Sequence, residues 1–91
     1  MGKLIEKYEL VKEIKYWFDE IDHPVVAKIY KIILGANAKF TWEIDHYNQL
    51  KDEALPNLGG STFGETVEEV EVKLNMYIKR FEKDGIKVVP K

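Results

Sequence analysis

The seven residues Lys39-Phe40-Thr41-Trp42-Glu43-Ile44-Asp45 alternate polar and apolar without a break. Successive side chains of an extended strand point to opposite faces, so this run reads as a half-buried strand. A strand leaves backbone donors and acceptors open along its edges and needs a neighbour. Residues 25–34 upstream are rich in β-branched and aromatic side chains, which favour strands. Between the two runs, Gly35-Ala36-Asn37-Ala38 offers a hairpin loop, since Gly and Asn tolerate positive φ. We therefore expect residues 25–34 to pair with 39–47. In the register chosen, Leu34 meets Lys39, Ile29 meets Ile44, Ile33 meets Phe40, and Lys28 faces Asp45 on the other side. Val25, Val26, Ile29, Ile32 and Ile33 also fit a helix stripe behind Pro24, so a helix over 24–34 is the competing reading.

Both flanks read as helices. Leu4, Tyr8, Val11, Ile14, Phe18 and Ile21 recur at three- and four-residue steps, with Leu10 and Trp17 widening the stripe, which predicts a helix over 3–21 ended by Asp22-His23-Pro24. Towards the other end, Thr66 and Glu69 form a capping-box pair, and Val67, Val70, Leu74, Tyr77, Ile78 and Phe81 form a buried stripe. Acids (Glu68, Glu69, Glu71) lead and bases (Lys79, Arg80, Lys83) close, as the helix dipole favours, so a second helix is predicted over 66–83. Residues 48–60 read as a polar connection, Ser61-Thr62-Phe63 as a short third strand, and Ile86-Lys87-Val88-Val89, after Asp84-Gly85, as a last strand. The expected fold class is α+β: one domain over 1–91, a two-layer α-β-β-(β)-α-β arrangement with a small antiparallel sheet packed by two helices.

Composition removes several functions. The 91 residues contain no cysteine, which excludes disulfides, thiolate nucleophiles and Cys-ligated zinc or iron–sulfur clusters. No apolar run nears the ~18–20 residues of a membrane span, and Lys3, Glu6 and Lys7 interrupt the start too early for a signal peptide, so a soluble cytoplasmic protein is expected. Fourteen Lys and Arg against sixteen Asp and Glu, with a single arginine, give no phosphate-neutralising stripe, and no nucleic-acid partner is expected.

Residues 59–66, Gly-Gly-Ser-Thr-Phe-Gly-Glu-Thr, have the spacing of a nucleotide-binding P-loop, but Glu65 stands where the motif needs lysine. A like-charge contact with phosphate at ~6 Å costs on the order of 2–3 kcal/mol at an effective dielectric near 20. No nucleotide is expected there. His23 and His46, beside Asp22 and Asp45, could supply two nitrogens and two carboxylates to zinc. Asp45 and His46 are consecutive, though, and on a strand would face opposite ways, so neither a metal nor a cofactor is expected. Ser61 is the only serine and has no histidine near it in sequence. No catalytic set emerges, and the chain reads as non-enzymatic.

One surface feature stands out. Val72 and Met76 sit four apart, on the side of the second helix opposite its buried stripe, where they need cover or a partner. The leading expectation is a protein-interaction module that binds a partner or self-associates as a homodimer through Val72 and Met76, with exposed strand edges as a second route. The alternative is a small-molecule-binding domain or minor enzyme using a cleft near His46, with Glu43 and Tyr47.

Leu55-Pro56, then Gly64-Glu65-Thr66-Val67-Glu68-Glu69-Val70, then Asp84-Gly85 and Pro90, resemble the strand–helix–strand end of HicB-type antitoxins. The resemblance covers residues 55–90 and implies an antitoxin-like regulator with a co-encoded toxin. The family's Leu-Pro-Gly-Cys turn is replaced by Leu55-Pro56-Asn57-Leu58, and no functional residue carries over. Trp42-Glu43-Ile44-Asp45-His46-Tyr47 together with Val70-Glu71 and Tyr77-Ile78-Lys79-Arg80-Phe81 is similar to small bacterial proteins of no assigned activity.

Overall fold

The computed structural model describes residues 2–19, 21–50, 60–83 and 85–91. Within them lie six strands and one α-helix: β1 (Lys7–Tyr16), β2 (Val25–Leu34), β3 (Phe40–Ile44), β4 (His46–Gln49), β5 (Phe63–Gly64), α1 (Val67–Ile78) with a 3-10 turn at Lys79–Glu82, and β6 (Lys87–Pro90). Strands β1-β2-β3-β5 form an antiparallel sheet in that order, and β4 and β6 form an antiparallel pair. The fold is α+β, mostly sheet.

The hairpin of residues 25–34 with the alternating strand is present, and the helix reading of 24–34 is not. Its register differs from the expected one by two residues: Ala27 pairs with Ile44, Ile29 with Trp42 and Lys31 with Phe40. Because side chains repeat every two residues, a two-residue slip keeps every side chain on its expected face. Val25, Ala27 and Ile29 of β2 and Trp42 and Ile44 of β3 are buried accordingly.

The first helix is corrected outright: residues 7–16 are strand, so one helix packs the sheet instead of two. Leu10 pairs with Tyr30 but Lys12 pairs with Ile29, which leaves Val11 as an extra residue, a β-bulge. The bulge switches which parity faces inward. Tyr8 and Leu10 point to the outer face with Tyr30, whereas Lys12, Ile14 and Tyr16 point to the face covered by α1. Two half-strands of period two, joined out of phase, mimic the three- and four-residue steps of a helix.

Helix α1 forms as its sequence predicts. Thr66 caps it, its side chain accepting from the Glu69 amide at 3.1 Å. Glu69 reaches back one residue further than expected and accepts from the Glu65 amide at 3.0 Å. Val70, Leu74, Tyr77 and Ile78 are buried against β2 and β3. The Gly-rich run before the helix has a structural role: a Cβ on Gly64 would lie 2.9 Å from Val70 Cγ2, so glycine lets β5 and α1 approach this closely. Lys73 donates to the Phe63 carbonyl and fastens the same corner. Beyond α1, Phe81 stacks on Phe18 (5.6 Å between ring centres) and meets Tyr77 edge-on at 5.8 Å, with Trp42 tilted against Tyr77 at 5.5 Å.

Of the expected connection 48–60, residues 48 and 49 belong to β4, and 51–59, including Leu55-Pro56 and Gly59, lie outside the described residues. Asp84 does too, while Gly85 takes φ 74° in the turn before β6. No helix among the described residues is long and apolar enough to cross a membrane.

Candidate functional site

Asp45 occupies a one-residue bend between β3 and β4. There it serves two groups at once: its Oδ1 accepts from the Val26 amide at 2.8 Å and from His46 Nδ1 at 2.6 Å. On one continuous strand, alternation would point Asp45 and His46 to opposite faces. The bend at Asp45 breaks that alternation, and the two side chains meet.

His46 is 9% exposed and His23, in the turn before β2, leans on it with 5.0 Å between ring centres. Their Nε2 atoms are 3.2 Å apart. On the far side of His23, Nδ1 lies 2.9 Å from Asp22 Oδ1. The four side chains thus form one chain, Asp22–His23–His46–Asp45, with a carboxylate at each end. An ionised carboxylate can only accept, so each Nδ1 carries a proton and donates it outward, turning both Nε2 atoms toward each other. The hydrogen bond to His23 holds the exposed Asp22 carboxyl below its ordinary value. Burial pushes the Asp45 carboxyl up, but the bonds from His46 and the Val26 amide outweigh this and leave it lowered.

His23 and Asp22 also line a cleft of about 1040 Å³, walled by Trp17, Phe18, Phe81 and Val88. The structure does not bring Glu43 or Tyr47 to His46. Glu43 is exposed, opposite Lys28 on the outer face of the sheet, and Tyr47 faces away from His46 along β4, its ring under Lys91 Nζ at 4.8 Å. Neighbouring Asn48 is fully buried: its amide N–H donates to the Tyr77 hydroxyl at 3.2 Å, its Nδ2 to the Tyr77 carbonyl at 3.3 Å, and its Oδ1 accepts from Arg80 Nε at 3.1 Å. Burial pushes the Tyr77 hydroxyl above its ordinary pKa.

Val72 and Met76 are 59% and 68% exposed on α1, and Met76 borders a shallow depression of about 460 Å³ with Trp42 and Lys73. Further exposed apolar side chains lie elsewhere. Tyr8, Leu10 and Val11 of β1 and Ile33 and Leu34 of β2 are exposed large hydrophobic side chains at the end of the β1–β2 ribbon away from His23, with Leu4 and Ile5 just before it. Ser61, the lone serine, accepts from the Phe63 amide at 3.3 Å in a local turn.

Comparison of the chain with protein-family models, with curated proteins and with solved structures gives no match.

Proposed function

We propose that this chain is a non-enzymatic protein-interaction module that associates with a second copy of itself through the β1–β2 ribbon. The observation that carries this reading is the edge position of β1 combined with its exposed apolar side chains, Tyr8, Leu10 and Val11. An open edge presents backbone donors and acceptors that a second strand can complete. Lys7, Glu9, Lys12, Glu13 and Lys15 give the strand charges of both signs, so an antiparallel copy can be set to meet opposite charge. The ribbon takes precedence over Val72 and Met76 because it offers backbone pairing as well as apolar contact. Light scattering on the eluting chain tests it: dimer mass for the native sequence, and monomer mass for Leu10→Lys with unchanged circular dichroism. A native chain that remains monomeric at high concentration contradicts the reading.

A second reading has its own observation. The buried, partnered His46 stands behind a cleft whose rim carries His23 and Asp22, an arrangement that suits a small polar ligand. Fragment screening by NMR tests it. Shifts clustered on Trp17, His23 and Val88 support a ligand site, and an unresponsive cleft removes it.

A further inference from the structure

We propose that His23 and His46 bind a divalent late first-row transition ion, with zinc the reference case, through their paired Nε2 atoms. With each Nδ1–H committed to a carboxylate at 2.9 Å and 2.6 Å, the two Nε2 atoms face each other across 3.2 Å as the ring nitrogens left to bind an ion. A positive centre between them, a proton or a metal ion, holds two such nitrogens at this distance.

The spacing of the two rings accommodates a metal ion. Zn–N bonds of ~2.05 Å at the tetrahedral angle hold the two nitrogens about 3.3 Å apart and the ring centres about 5.2 Å apart. The observed separations are 3.2 Å and 5.0 Å.

The surroundings fit as well. Metal-bound histidines characteristically donate their second nitrogen to a carboxylate, which fixes the tautomer and raises the basicity of the ligand, and here both have that partner in place. Imidazole donors favour zinc, copper and nickel over magnesium or calcium. The side chain of His23 is 49% exposed and lines the cleft, so an ion can arrive from solvent, with water completing its shell. No third His, Asp or Glu joins the group among the described residues, which makes this an open two-ligand site. Its sequence signal was present but hidden: in the observed register, continuing the β2–β3 pairing one step past Val26 and Asp45 sets His46 beside Val25, two residues from His23. This inference is independent of self-association through β1.

The test is titration of the untagged full chain with Zn²⁺, read by calorimetry and by the ¹⁵N shifts of the imidazole nitrogens. The expected result is one ion per chain, both Nε2 signals moving, and binding more than about 10-fold weaker in His23→Ala. Asp22→Asn, which keeps both ligands, is expected to weaken binding by about 10-fold, the low end for such a carboxylate, because Asp22 is fully exposed. His23 is exposed enough that its loss leaves the fold intact, which circular dichroism verifies. If Zn²⁺ leaves both Nε2 signals in place, or if His23→Ala binds as tightly as the native chain, the site is overturned.

Discussion

The two ends of the β1–β2 ribbon are built from the same kinds of residue and meet opposite fates. At one end Val25, Ala27 and Ile29 are completely buried; at the other Ile33 and Leu34 are nearly half exposed, although all five lie on one ten-residue strand. Length explains the difference. The twelve residues of α1 reach about 18 Å at ~1.5 Å per residue, whereas β2 runs about 33 Å at ~3.3 Å per residue. One helix cannot cover the ribbon. The uncovered end keeps strand-forming residues because β pairing, unlike helix packing, continues without a core beneath it. The lesson is that apolar content marks where a surface wants a neighbour, and the reach of the covering element decides whether the neighbour comes from within.

The sharpest contrast is Leu74→Ala against Leu10→Ala. Leu74 is fully enclosed at the covered end, and its truncation is expected to cost about 3–5 kcal/mol. Leu10 is 52% exposed, and in the dissociated chain the same truncation should stay within about 0.5 kcal/mol. Urea denaturation at low concentration measures both, and comparable losses would erase the distinction between the ends. Gly64→Ala should be next, at about 1–3 kcal/mol in thermal or urea unfolding, because the added methyl forces β5 off Val70.

Tyr77→Phe refines the covered end. It removes the acceptor of the buried Asn48 amide and should cost about 1–2 kcal/mol. Burial raises the Tyr77 pKa in the folded chain, so its stabilising contribution is complete below the unfolded value of about 10 and is lost as pH rises through the higher folded value. Stability of the native chain should therefore fall in alkali, and Tyr77→Phe should flatten part of that fall. The remainder belongs in part to Tyr16, whose pKa burial and the nearby Glu71 also raise. Smallest of all, Val72→Asp and Met76→Asp should shift stability by about 0.5 kcal/mol or less. If either converted a dimer to a monomer, the interface would move from the ribbon to α1.

What the chain made legible follows from how local each signal is. Thr66, Glu69 and the stripe from Val67 to Phe81 specify α1 through neighbours within a turn or two, and the helix forms there. The alternation through Trp42 and Ile44 specifies β3 and its buried face just as locally. The bulge at Val11 is set by pairing with β2, a non-local event, and it scrambled the period that would have revealed β1. The histidine pair needed two things no local pattern states: a register correct to two residues and a bend at Asp45 that turns a strand's alternation off. Glu43 and Tyr47, placed near His46 by sequence proximity alone, ended on other surfaces for the same reason.

Amide hydrogen exchange at high and low protein concentration tests the ribbon most directly. Amides over Tyr8–Leu10 should gain protection as concentration rises, while those over Val25–Ile29 and Trp42–Ile44 should be protected throughout. Exchange over Tyr8–Leu10 that is fast at every concentration would contradict self-association through the ribbon.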